Sequence, residues 1–141
     1  MPQPRTILAF DYGLRRIGVA IGQDITGSAS PLGVVSNRDD GVDHNAISAL
    51  IKEWRPTSLV VGMPTHSDGS PSQIAEHVEA FIEELRRYEL GIDTVDERYT
   101  SLEAEQALKQ ARIAGNRGRI SKESIDSAAA VIIAERYLSS G

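Results

Sequence analysis

Thr6–Gln23 reads TILAFDYGLRRIGVAIGQ, and the fold turns on how this stretch is read. It holds two short apolar runs, Ile7–Phe10 and Ile17–Ile21. Between them lie a lone carboxylate, Asp11, and a segment with turn character, Tyr12–Arg15. Short apolar runs bounded by turn residues read as strands buried on both faces. The brief separation makes an antiparallel hairpin the simplest connection. Asp11 then stands where a central strand ends, and a carboxylate there is costly unless it meets a cation or donors. Gly13 and Gly18 omit side chains where backbone or ligand could approach closely. Asp and Gly are also ordinary turn formers, so the rest of the chain has to decide between a turn and a site.

Downstream of the hairpin, residues 29–35 read as a third strand, with Pro31 marking an edge or a late start. SNRDDG (36–41) is expected as a polar loop. A helix is expected over about 44–55. Asp43 is its N-cap, Val42 and Ile47 form a hydrophobic staple, and Ala46, Ile47, Leu50, Ile51 and Trp54 make one apolar face. Pro56 should stop it. Residues 58–62 (SLVVG) give a short buried strand. Ser70, Pro71 and Gln73 open a second helix whose buried stripe is Ile74, Val78, Phe81, Ile82 and Leu85. Residues 92–95 form another strand, ending in Asp96-Glu97-Arg98. Thr100 and Glu103 cap a helix over about 101–114, with Gly115 beyond its end. A last helix runs from about 122–124 to 138. Strands separated by helices pair in parallel through right-handed crossovers. The expected architecture is therefore an α/β domain with a mixed five-stranded sheet, in the order βββαβαβαα.

With 141 residues, the chain is expected to form one domain, residues 1–141, large enough for a real core. It has no cysteine, which excludes disulfides and thiolate metal sites. No apolar run reaches membrane-spanning length, and the first residues, MPQPRT, lack a signal-peptide core. No membrane partner and a cytoplasmic location are therefore expected. The formal net charge of −5 argues mildly against general nucleic-acid binding, so charge distribution matters more than the total.

Three carboxylates stand out on this plan. Asp11 ends the first strand. Glu97 ends the last. Asp126 lies in the first turns of the final helix, which is small or apolar nearly all round from Ile125 to Ala134. Singly, each has an ordinary explanation: a turn, a solvated loop, a helix-dipole acid. Together they occupy strand ends and an apolar helix start, and ligands of open α/β sheets gather outside the carboxyl ends of strands. Oxygen-only donors suit Mg²⁺ or Mn²⁺. Such ions, paired about 3.5–4 Å apart, activate water and stabilise a leaving oxygen in phosphodiester cleavage.

These residues resemble the YqgF/RuvX family of the RNase H-like superfamily. The similarity rests on FDYGLRRIGVAIG (10–22), VVGMP (60–64) with Asp68-Gly69, DERYTS (96–101), and SIDSAAAVII (124–133) preceded by Lys122. All four motifs in this order cover nearly the whole chain. The resemblance implies an RNase H-like fold with Asp11, Glu97 and Asp126 as metal-binding catalytic carboxylates. It also implies a nuclease acting in 5′-end maturation of the small-subunit (pre-16S) ribosomal RNA precursor, an older family reading being a Holliday-junction resolvase. Where the family often has Asn two residues after the Pro of its GxP loop, this chain has His66.

Lys109–Lys122 holds Lys109, Arg112, Arg117, Arg119 and Lys122 with no acid. That pattern suits a surface tracking phosphates, although bases are also welcome near a helix C-terminus. Arg15, Arg16 and Arg98 flank two of the three carboxylates and could neutralise phosphate charge. Lys122, one helical turn before Asp126, could orient it or contact phosphate. Only Tyr12 and Tyr99 offer rings beside the site, so backbone and shape recognition is expected over base reading. The expected partner is structured RNA or a four-way DNA junction, bound by a monomer or weak homodimer. Two other classes remain open. One is an actin-like nucleotide-binding protein, whose first phosphate loop DxG and hairpin resemble. The other is a non-catalytic ribosome-associated module.

Overall fold

A computed structural model describes residues 5–38, 41–63, 75–96 and 122–140. Its strands are β1 (Thr6–Asp11), β2 (Arg16–Gln23), β3 (Ser28–Arg38), β4 (Gly41–Val42), β5 (Ser58–Met63) and β6 (Gly91–Asp96). The described helices are α1 (His44–Trp54), α2 (Ala75–Leu85) and α3 (Lys122–Ser140), with a short 3₁₀ turn at Arg86–Tyr88. The spatial order is β4-β3-β2-β1-β5-β6. The first pairings, β1 with β2 and β2 with β3, are antiparallel. Those of β1 with β5 and β5 with β6 are parallel.

The sheet thus has six strands where the sequence reading expects five. The difference lies in SNRDDG. β3 continues to Arg38, and Gly41–Val42 folds back to pair Asn37 with Val42 and Arg38 with Gly41. Gly41 takes a φ of 94°, a conformation glycine adopts without strain. Pro31 is accommodated because it lies in a part of β3 that pairs only with β2 among the described residues. It sits beside a bulge where Val19 faces Gly33 and Ala20 faces Pro31. The expected helix over 101–114 lies outside the described residues, as do the caps expected at Ser70–Gln73.

Alternation along the strands splits the core into two layers. Leu8 and Phe10 of β1, Ile17, Val19 and Ile21 of β2, and Leu59 and Val61 of β5 join Ile47, Val78, Phe81 and Leu85 beneath α1 and α2. Ile7 and Ala9 of β1 and Val60 of β5 face the other way, against Ile133 and Ala134 of α3, with Val95 alongside. The alternation explains the spelling IGVAIG. Its large residues face α1 and α2, and its small ones (Gly18, Ala20, Gly22) face α3. A Cβ on Gly22 would stand 3.0 Å from Ile7, 3.2 Å from Leu138 and 3.3 Å from Ala134. A glycine there lets an alanine-rich helix lie close to the sheet.

The local signals around α1 hold except at Trp54, which is exposed at the last turn of the helix instead of joining Ala46, Ile47, Leu50 and Ile51 in the core. Asp43 caps the helix, its carboxylate accepting from the Ala46 amide at 3.2 Å. Its end is set at Arg55, in the left-handed region with its N–H donating to the Ile51 carbonyl. His44 joins α1 to the α2 end of the molecule, within 2.7 Å of the Tyr88 hydroxyl and 3.0 Å of the Glu84 carboxylate. Burial there raises the Tyr88 pKa.

Candidate functional site

Asp11 is the last residue of β1, directly after four residues that are fully buried. Strand alternation puts it on the face of Ile7 and Ala9, the face covered by α3. The ladder agrees, since Asp11 sits opposite Gly18, on the small-residue side of β2. On the other flank, Phe10 pairs with Val61 and Gly62 pairs with Val95. One step beyond the Phe10 pair, Gly62 therefore stands between the Asp11 position and β6. It has no side chain to fill that space. Asp11 itself is only partly exposed.

Asp126 belongs to α3, whose direction can be read from its contacts. Near its far end, Ala134 and Leu138 lie over Gly22 and Ile7, and the Tyr137 hydroxyl donates to the Asp93 carboxylate at 2.6 Å. Near its start, the Ser127 hydroxyl donates to the Gly33 carbonyl at 3.1 Å. Gly33 pairs with Val19, and Val19 with Phe10. The helix therefore runs antiparallel to β1. Its first turns, carrying Lys122 and Asp126, lie over the carboxyl end of β1, on the face to which Asp11 belongs. The chain positions of two of the three expected acids, Asp11 and Asp126, thus lie toward the same end of the sheet. Glu97 follows β6 directly in the chain and lies outside the described residues, as do Arg98, Arg112, Arg117, Arg119 and His66. Among the described residues, no group of three His, Cys, Asp or Glu side chains converges on a metal position.

The turn after Asp11 is held from β3. Asn37 Nδ2 donates to the Gly13 carbonyl at 2.7 Å, and the Asn37 amide donates to the Arg15 carbonyl at 2.9 Å. Gly13 is required by space, because a Cβ there would fall 2.5 Å from the Arg16 carbonyl oxygen. Arg15 is exposed and Arg16 half-buried, and Leu14 is 61% exposed between them and Gly13. Tyr12 turns the other way. Its ring lies 5.3 Å from that of Phe81 and packs against the α1–α2 layer, so it is committed to the core rather than offered for stacking. Asn37 lies in SNRDDG, which reads as a polar loop, and Ser127 lies within SIDSAAAVII, where the sequence points to Asp126 instead. Their only local signal is a polar residue in a stretch that the fold buries.

At the opposite pole, Asp93 accepts the Tyr137 hydrogen bond and thereby raises the Tyr137 pKa, with burial adding to the effect. Arg5 pairs with Asp24 at 3.3 Å beside it, and its guanidinium lies 6.0 Å from the centre of the Tyr137 ring. This cluster fastens the end of α3 to the sheet. No described helix is long and apolar enough to cross a membrane.

A family model described as "RuvX: Holliday junction resolvase" matches residues 5–140. A Burkholderia lata protein named "Putative pre-16S rRNA nuclease" is 43% identical over 134 residues, spanning 94% of this chain and 88% of the relative. A Paraburkholderia xenovorans protein of the same name is 44% identical over 134 residues, spanning 94% and 87%. Among solved structures, RuvC of T. thermophilus in complex with Holliday junction substrate superposes with a TM-score of 0.60 at 14% identity, covering 96% of this chain and 94% of that one. The yeast mitochondrial Holliday junction resolvase Ydc2 gives a TM-score of 0.56 at 10% identity, covering 94% and 77%. The fold is the RNase H-like one of these resolvases.

Proposed function

This chain belongs to the RuvX family, and from that membership we propose that it is a nuclease hydrolysing phosphodiester bonds of structured RNA. The 5′-end processing of pre-16S rRNA is its task, in keeping with the name its relatives carry. The observation that carries the reading is the register of β1: it sets Asp11 on the α3 face, at the pole where the turns bearing Asp126 begin.

The donors suit a hard divalent cation. Asp11 is a partly exposed carboxylate at a strand end, bordered by the bare backbone of Gly62. Oxygen ligands of this kind select Mg²⁺ or Mn²⁺. Asp11, Glu97 and Asp126 would hold the metal, and when bound it supplies an activated water and charge for the leaving oxygen. The protein's own contribution is placement. The buried run before Asp11 keeps its backbone from moving, and a carboxylate fixed in advance loses little freedom on ligation. Lys122, one turn before Asp126, orients it or meets phosphate. Arg15, exposed in the turn that follows Asp11, would meet the phosphate backbone, with Arg16, Arg98, Arg112, Arg117 and Arg119 as further contacts. Recognition is by backbone and shape. The protein works as a monomer or weak homodimer, in the cytoplasm where rRNA precursors would be met.

A second substrate, four-way DNA, is favoured by the description of the family model. Incubation with pre-16S RNA and with a four-way junction, each with Mg²⁺ or EDTA, separates the two. Cleavage of the RNA alone, dependent on Mg²⁺, is expected. Metal-dependent cleavage of the junction alone moves the assignment to DNA, and cleavage of neither removes the nuclease reading.

A further inference from the structure

Polar side chains are expensive to bury and persist where their hydrogen bonds hold something in place. Among the described residues, two polar side chains are buried: Asn37, 6% exposed, and Ser127, 7% exposed. They lie 90 positions apart in the chain, yet both serve the same strand. Asn37, on β3, reaches the Gly13 carbonyl in the turn that follows Asp11. Ser127, next to Asp126, reaches back to the carbonyl of Gly33, also on β3. Gly33 has a φ of 113° and sits at the β2–β3 bulge, where the main chain is bent out of the regular ladder. One strand, with no candidate catalytic side chain of its own, thus holds both carboxylate-bearing segments.

We propose that Asn37 and Ser127 are positioning residues, which through β3 fix the separation and direction of Asp11 and Asp126. The inference rests on the nuclease reading above, and it adds a function for two side chains that the reading does not use. If Asn37 merely filled space, an apolar residue of its size would serve better. Its donor instead meets a carbonyl two residues after Asp11, and its own amide meets Arg15 two residues further on. The amide bond to Arg15 prolongs the β2–β3 ladder by one rung, whereas the side-chain bond to Gly13 acts on the turn alone. The Ser127 bond likewise leaves the backbone bonds of α3 untouched and ties a helical turn to a strand.

Outer-shell partners of this kind typically change metal affinity or activity by about 10–100-fold when removed. The test uses the full-length protein, Asn37→Ala, Ser127→Ala, and Leu85→Val as a control that loosens the buried end of α2 away from this pole. Two quantities are read: the Mn²⁺ concentration at half-maximal rise in melting temperature, and kcat and KM for cleavage of pre-16S RNA at saturating metal. Asn37→Ala and Ser127→Ala are each expected to raise the Mn²⁺ midpoint about tenfold or more, and to lower kcat with KM little changed. Leu85→Val should melt earlier with an unchanged midpoint and kcat. Variants at Asn37 and Ser127 that melt earlier but keep the wild-type midpoint and kcat, as the control does, overturn the proposal. Should Asn37→Ala fail to fold, Ser127→Ala tests the same brace from its other end. A wild-type protein that neither cleaves nor responds to Mn²⁺ shows the nuclease reading itself to be wrong, and the positioning role falls with it.

Discussion

Asp11 occupies the first position after the buried run of β1 that a carboxylate can occupy at tolerable cost. The four residues before it are fully buried, where an ionised side chain without a partner would be strongly disfavoured. One residue later the strand emerges and a charge can be both fixed and reachable. Tyr137 shows the reverse arrangement at the far pole, a neutral donor fastened to a charged acceptor. Its hydrogen bond to Asp93, helped by burial, raises its pKa above the ordinary 10.0. The folded protein therefore retains a proton that the unfolded chain gives up. The resulting stability is complete below about pH 10 and is lost as pH rises from there through the folded pKa. Tyr137→Phe should be less stable by about 1 kcal/mol near neutrality, and the gap should shrink above about pH 10. Urea melts of both proteins at about pH 8 and about pH 11 check this; Tyr88, also raised, is common to both and cancels. An equal gap at the two values would show that the hydroxyl contributes nothing through its proton.

At the scale of elements, the decisive fit is α3 on β2. IGVAIG builds one strand with a bulky face and a bare face, and the bare face admits a helix rich in alanine. Gly22 is where this fit has least slack, with three side chains within 3.3 Å of the missing Cβ. Gly22→Val should cost about 1–3 kcal/mol by overpacking, despite the better strand propensity of valine. A chemical-denaturation curve measures it, and a valine variant as stable as the wild type would mean that α3 does not sit as closely as described. The same fit explains what could be read early and what could not. β1, β2 and α1 were legible because burial, periodicity and capping act over a few neighbouring residues. The end of β3 was not, because SNRDDG carries every mark of a loop. Its strand character comes from pairing, and the burial of Asn37 comes from a carbonyl 24 residues earlier in the chain. Ser127 depends on a partner 94 residues away, beyond any local pattern.

For the whole molecule, the parallel half of the sheet and the direction of α3 bring strand ends and a helix start to one pole. Asp11 could be suspected from sequence alone, since a carboxylate closing a buried run is unusual. Its sharing a face with α3 needed the register, in which a slip of one residue would turn it to the α1–α2 side. The acidic chain also concentrates cations in Lys109–Lys122; residues 109–121 lie outside the described residues, and Lys122 is the first residue of α3. The most direct test is the initial rate of pre-16S RNA cleavage by wild type and Asp11→Asn, in Mg²⁺, after melting curves have verified that both are folded. Asparagine keeps the volume and removes the charge. The wild type should cleave and the variant should be slower by more than the roughly 10–100-fold that outer-shell changes cost, with RNA binding retained. A folded Asp11→Asn protein cleaving at the wild-type rate would contradict the assignment of Asp11 to the reaction.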